Sequence, residues 1–394
     1  MSLALRLPFT TALKGTRSLF TVLLCLPWLI SSAQAIQAVN RVVAWGDLSY
    51  DLSFGPAPST NLVQWQAAPG DFHSLLMRGD GSLLAWGDDQ FNQTNIPDWL
   101  KSVPTQQIAA GNIHNLALLP DGSVVSWGPL AGQYGDYGQC TVPAGLNSVR
   151  AVAAGALHSL ALKNDETVVA WGDNASGQCD VPAGLSNVVA IAGGMSHSLA
   201  LQADGTVVAW GDNQQGQATV PPGLADVVAI AAGGFHSLAL KRDGTVIVWG
   251  TYGLAQAPVP VGLSNVVAVA TGDYHSLALK ADGTLVAWGL NSKGQCNVPT
   301  NLSNITSISA RGSHSMVLMQ QSVTSAPPQM SISISGGAVV VAWPASATGF
   351  ILQQATGMNP PNWTPVTSAP LSLNNQNQVT LPASDKMFFR LVSQ

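Results

Sequence analysis

Charge is what this sequence has least of. Only 9% of its 394 residues are charged, 15 Lys and Arg against 20 Asp and Glu, and Glu166 is the single glutamate. A chain so poor in cations cannot neutralise a row of phosphates, which excludes nucleic acid as a partner. Cysteine is scarcer still: Cys25, Cys140, Cys179 and Cys296. The last three follow Gly-Gln at one position of a recurring string, where another copy has Ala218. Equivalent positions on separate repeats should lie beyond the ~7 Å reach of a disulfide, so these thiols read as small apolar fillers. Long apolar runs are missing too. The best candidate, Leu19 to Ile30, has 12 residues, where a bilayer needs about 20. It follows the basic Arg6, Lys14 and Arg17 and precedes Ala33-Gln34-Ala35, so residues 1–35 read as a cleavable export signal. Losing those three basic residues takes the formal net charge from −5 to −8. The expected mature chain is secreted, periplasmic or held at the cell surface, with no membrane span.

Catalytic signatures are also lacking. There is no H-E-x-x-H, no phosphate loop and no G-x-S-x-G elbow. Paired acids such as Asp88 and Asp89 are the nearest thing to an acid–base couple for a sugar. Most aspartates, however, recur at turns, where local hydrogen bonding accounts for them. The chain therefore reads as a non-enzyme, without cofactor or metal.

What the sequence does have is a repeat. Trp-Gly recurs at Trp45, Trp86, Trp127, Trp171, Trp210, Trp249 and Trp288, and all seven histidines fall between: His73, His114, His158, His197, His236, His275 and His314. From His158 onward the step is 39 residues, and six histidines have a tryptophan 13 residues later. Within one copy, Val227 to Ala232, His236 to Leu240 and Thr245 to Trp249 read as strands, with Asp243-Gly244 as a hairpin turn. A short outer strand before Pro260 would complete a four-stranded antiparallel meander, the size of a propeller blade. Seven anchors give seven blades. Trp45 has no histidine upstream and His314 no tryptophan downstream, so the segment Arg41 to Gly46 should complete the last blade and close the ring. Equal spacing gives each histidine and each Trp-Gly tryptophan the same structural role in every blade, rather than one metal or active site.

The strings GG-x-HSLAL, DGTVVAWG and GQ-x-x-VP resemble the RCC1 family of seven-bladed propellers, over roughly residues 40–320. Within it the short, uninterrupted repeats look most like the secreted bacterial propeller that inhibits β-lactamase. The resemblance implies a protein-binding scaffold. The chromatin-bound eukaryotic member exchanges nucleotides on a small GTPase through longer repeats and an inserted wedge, and this chain has no such insertion. The expected organisation is a propeller over 36–320, a polar linker over 321–329, and a β-module over 330–394 weakly similar to fibronectin type III. The fold class is all-β.

Alternating strand direction puts the loop before each histidine and the loop after each Trp-Gly on one face, and the Asp-Gly hairpins on the other. The hairpin face is uniform and carries Arg78, Lys163, Lys241, Arg242 and Lys280. The loop face varies, and variable loops on a fixed frame carry function. It supplies aromatics and acids suited to a protein contact: Phe72, Tyr134, Asp136, Tyr137, Asp173, Asp212, Phe235, Tyr252 and Tyr274. Asp71, Asp89 and Asp273 add to its negative field. The reading is an exported, monomeric protein-binding scaffold that docks or inhibits a secreted or surface protein. The runner-up is a glycan-binding or polysaccharide-acting enzyme at the cell surface, and nucleotide exchange comes last.

Overall fold

A computed structural model describes residues 37–47, 49, 66–250, 258–323, 330–335, 338–345, 350–355, 362–373, 375–382 and 388–393. The export signal, most of the linker and Tyr252 lie outside the described residues. Two compact units divide the chain, one of them Ala38–Gln321 and the other including Ser322–Gln394.

The first unit is built of antiparallel three-stranded sheets, one per repeat. In the fourth blade Val188–Gly193, His197–Gln202 and Val207–Gly211 lie side by side, with His197 opposite Gly211. That register places the histidine and the Trp-Gly end together on the loop face, as the alternation of strands requires. The middle strand H-S-L-A-L is buried at every position, because a blade is covered on both sides. Its alternation is a size code. Leu160 and Leu162 of the third blade meet Ala200 and Trp210 of the fourth, and Leu199 and Leu201 of the fourth meet Ala239 and Trp249 of the fifth. Large side chains from one sheet fill the space that a small alanine leaves on the next. Each such leucine stabilises the stack by about 2 kcal/mol.

The last blade borrows its third strand. Gln37–Gly46 joins His314–Val323 and Ile305–Arg311 in one sheet, and Trp45 packs on Leu277 and Val317. Met316 and Leu318 of this blade then pack against Leu76 of the first. Each inner strand touches the next, and Ile305–Arg311 touches Gln66–Pro69. The termini of the array thus meet as the unmatched anchors predict.

Among the described residues the expected fourth strand does not form. After the Trp-Gly pairs of Trp127, Trp171, Trp210 and Trp288 the chain runs through turns, and after that of Trp86 through turns and the 3₁₀ segment Asp98–Ser102. The V-P-x-G-L string cannot extend a ladder: its proline has no N–H, and its glycine sits at positive φ, 82° at Gly184 and 75° at Gly223. Its apolar residues are used differently. Val181 and Leu185 cap one inter-blade core, and Val220 and Leu224 the next.

In the second unit, Ser331–Ser335, Ala338–Pro344, Gln376–Pro382 and Leu371–Leu373 form one sheet, in that order. Thr364–Pro365, Phe350–Ala355 and Phe388–Ser393 form another. Val341, Trp343, Leu352, Val379 and Phe389 share one core between them, which makes a small two-sheet sandwich. The last propeller strand runs on to Val323, into the segment expected to be linker.

Candidate functional site

The conserved-looking repeat residues turn inward. His158 Nε2 lies 3.0 Å from Ser198 Oγ on the next blade, and Ser198 Oγ donates to the Gln178 carbonyl at 2.9 Å. The same carbonyl accepts the indole N–H of Trp210 at 2.9 Å. Because the serine hydrogen is committed to the carbonyl, the histidine must donate, which fixes a neutral Nε2–H tautomer. The relay recurs from His197 to Ser237 and from His275 to Ser315, and His236 Nε2 likewise lies 3.0 Å from Ser276 Oγ. His114 reaches Ser159, and His73 reaches Asn115 in place of a serine. Burial holds all seven histidines far below their ordinary range, to about 3 for His114, His158, His197 and His275 and about 4 for His73, His236 and His314. Among the described residues, no group of three or more His, Cys, Asp or Glu could hold a metal. The free thiols are also withdrawn, with burial raising Cys140 and Cys296 to about 11 and Cys179 to about 12.

The axis of the propeller is plugged. Six blades have a glycine three residues before the histidine, and a Cβ there would overlap that histidine's own ring. The seventh has Arg311. Its guanidinium reaches Asp71 at 3.1 Å, Asn112 Oδ1 at 3.3 Å, and the carbonyls of Ala154 at 3.1 Å and Gly193 at 3.4 Å. One side chain so ties the last blade to the first four. The cost falls on His314: among the described residues its Nε2, and Ser74 Oγ on the next blade, have no partner. Sequence reading placed Asp71 in the surface field, whereas it is a buried member of this ion pair. It passed over Arg311, though an arginine in a column of glycines was the available signal.

On the loop face the expected contact residues separate into two kinds. Asp173 and Asp212 are half-buried framework: Gln178 Nε2 donates to Asp173 at 2.8 Å, Gln217 Nε2 to Asp212 at 2.9 Å, and backbone amides take their other oxygens. Asp136 likewise shapes its own loop, accepting the amides of Gly132 at 2.7 Å and Gly138 at 2.9 Å, which hold its carboxyl below the usual range. Phe235 and Tyr274 stack on each other, centroids 5.2 Å apart, and are half-buried. The aromatics presented to solvent are Tyr134, 87% exposed, Tyr137, 50%, and Phe72, 37%. Tyr134 and Tyr137 ride on the five extra residues of the second blade, with Leu130, 58% exposed. Phe91 of the first blade backs Tyr134 at 6.3 Å. Beside this loop runs a groove of about 550 Å³, lined by Ile96, Pro97, Asp98, Trp127, Pro129 and Leu130 among others. Asp98 opens a 3₁₀ turn, Asp98–Ser102, whose Trp99 is 54% exposed. Leu130 and this turn were not among the contact residues expected from the sequence.

A family model, the Regulator of chromosome condensation (RCC1) repeat, matches residues 149–178, 188–217, 227–251 and 266–295. The chain carries RCC1 repeats. Solved structures agree. Prp20p from Saccharomyces cerevisiae, described together with its binding to Gsp1p and histones, is 20% identical with a TM-score of 0.59, over 73% of this chain and 93% of its own. Human WBSCR16 is 22% identical, TM-score 0.57, over 72% and 100%. The ectodomain of the Physcomitrella patens receptor kinase CR4 is 22% identical, TM-score 0.54, over 69% and 75%. No curated protein matches the sequence. At such identities these structures share the fold. Each matched RCC1 repeat runs from an inner strand into the Gly-Gln turn, or to Gly250 and Thr251 in one copy, and so comprises the buried frame. Leu130, Tyr134, Tyr137 and Trp99 all lie outside the matched repeats.

Proposed function

We propose that this chain is an exported, non-catalytic protein-binding scaffold that engages a secreted or surface protein through the loop face of its second blade. One observation carries the reading: Leu130, Tyr134 and Tyr137 stand exposed beside a groove, on an insertion held by its own hydrogen bonds. Rigid aromatics on a preorganised loop lose little entropy on binding, which is the make-up of an interface hot spot.

The groove's own carboxylates weigh against an enzyme acting on sugars. Such catalysis needs one carboxyl raised to act as an acid. Asp98 is lowered by the hydrogen bond and charge of Lys101, and Asp136 by two amides, so neither is poised to donate.

The test is a loop exchange. Replacing the ten residues Pro129 to Gly138 with Asp-Asn-Ala-Ser-Gly, as after Trp171, should give Gln139 the aspartate partner seen at Gln178 and leave the fold intact. Wild type and exchanged chain are then used as paired baits against the secreted fraction. A partner retained only by wild type supports the reading; its individual Tyr134→Ala and Tyr137→Ala losses should each be about 1–3 kcal/mol. A partner held equally by both baits places the contact elsewhere.

A further inference from the structure

We propose that the second blade holds its partner by strand addition: an extended, basic segment of the partner protein pairs with the outer strand Val124–Trp127 and becomes the fourth strand that this blade lacks. The inference rests on the second blade being the contact, and adds how the partner is gripped.

Val124–Trp127 is the edge of its sheet, after Gln107–Ala110 and Asn115–Leu118. The hairpin fixes which of its peptide groups are already used. Leu119 donates its N–H to the Ser123 carbonyl at 2.9 Å, and its own carbonyl accepts from Gly122 at 2.9 Å. From there the register pairs Leu118 with Val124, Ala117 with Val125, Leu116 with Ser126 and Asn115 with Trp127. Antiparallel pairs alternate between bonded and non-bonded, so Val125 and Trp127 bond the middle strand. The N–H and C=O of Val124 and Ser126 point out of the sheet. Among the described residues no backbone group pairs with them. Free rungs about 7 Å apart are the template that an extended chain completes.

In this blade the groove of about 550 Å³ opens along that edge. Ser126 and Trp127 both line it, although neighbouring side chains of a strand lie on opposite faces of the sheet. A cavity that touches both faces runs along the edge between them. Pro129 explains the opening. In five other blades the residue after Trp-Gly donates its N–H to the carbonyl before the histidine: Asp47 to Ser313, Asp88 to Phe72, Asp173 to Leu157, Asp212 to Ser196 and Leu290 to Tyr274. Proline has no N–H to give. Pairing therefore stops at Trp127, and Pro129 and Leu130 wall the groove instead.

Charge sets the composition of the segment. The charged lining residues are the carboxylates Asp98 and Asp136, and among the described residues no Lys or Arg lines the groove. Lys101 bonds one oxygen of Asp98, at 2.8 Å, from outside the lining. A segment with Lys or Arg flanking β-branched residues complements both the acids and the strand edge.

The probe is a fluorescein-labelled peptide amide, Lys-Thr-Val-Thr-Val-Thr-Lys, titrated with the full chain and followed by anisotropy. Saturable binding is expected, with a Kd of about 0.1 mM or tighter. Replacing both peptide lysines by glutamate should weaken it at least about tenfold. N-methylating every second peptide amide leaves one bonding edge and should retain binding, whereas methylating all of them should abolish it. Ser126→Pro removes an outward N–H without touching the bonded pairs, so it should keep its circular dichroism and weaken binding at least about tenfold. Ala170→Pro, at the same place in the third blade, should leave binding unchanged. If Ser126→Pro does not fold, the methylated peptides decide. No saturation by about 1 mM, equal binding of the fully methylated peptide, binding unchanged in a folded Ser126→Pro, or an equal loss in Ala170→Pro would each overturn strand addition. A partner lost on loop exchange, with no affinity for the peptide, would overturn strand addition and leave the second-blade contact standing.

Discussion

Acid should dismantle this propeller well before its exposed carboxylates titrate. Each histidine has an unfolded pKa near 6.5 and a folded one of about 3 to 4, because burial disfavours the cation. A depressed pKa contributes stability that is complete above 6.5 and is lost as pH falls toward the folded value. At about pH 5.5 the unfolded chain holds nearly one proton more per histidine, which costs about 1.4 kcal/mol each and about 10 kcal/mol for seven. The axial acids act the other way. Asp273, raised to about 7, returns about 2 kcal/mol between about pH 8 and pH 5.5, and Asp71 adds in the same direction. The histidines win, by an amount close to the whole stability of a typical domain, about 5–15 kcal/mol.

The assay is urea unfolding followed by tryptophan fluorescence at a series of pH values. The midpoint should fall steeply below about pH 6.5, with spontaneous unfolding near about pH 5. Stability at about pH 5.5 within about 2 kcal/mol of that at about pH 8 would mean that the histidines ionise in place, and the neutral relay would be wrong.

Three substitutions probe the departures from the repeat. Leu290 stands where other blades have the aspartate that accepts from the Gly-Gln glutamine, and Gln295 Nε2 is buried without a partner, so Leu290→Asp should raise stability by about 1 kcal/mol in urea titrations. Glu166 takes the hairpin position held by glycine elsewhere, at φ 66°; Glu166→Gly should gain about 1 kcal/mol, since the 4.0 Å contact with Arg150 is exposed and weak. Arg311→Gly would free His314 to take the common geometry but strand Asp71, and should cost about 3 kcal/mol or more, partly recovered by adding Asp71→Asn; an additive double variant would show that the two residues do not act together.

The fold was legible because burial made it repetitive. A histidine that must bond the next blade, an alanine that must leave room for leucines, and a glycine that must clear an imidazole recur at fixed spacing, and so do their letters. The closing of blade seven by Arg41 to Gly46 was readable for the same reason. The outer strand was misread because Val181 and Val220 are apolar in a strand-like place, while the neighbouring proline and glycine decide the backbone. Asp173 and Asp212 passed for contact residues because their partner is a glutamine five positions on, a turn bond that composition cannot distinguish from an exposed acid. Tyr134 was found and Leu130 was not, since exposure depends on how an inserted loop folds back on Phe91.

A ring of identical neutral blades offers a partner nothing to choose between. Six blades present the same buried histidine against the same serine or its substitute, and their hairpins end in the same aspartate turns, with Lys163, Lys241 and Lys280 already paired to Asp165, Asp243 and Asp282. Discrimination must come from where the repeat is broken, and it is broken in two ways. Five residues added to the second blade change shape at the surface without touching the relay, since Gln139 still accepts from Trp171 and Ser159. Arginine for glycine in the seventh changes charge at the axis and does break the relay, leaving His314 and Ser74 without each other. The first departure costs the frame nothing and can vary freely. The second weakens one of seven junctions, and Arg311 offsets that loss by binding four blades at once.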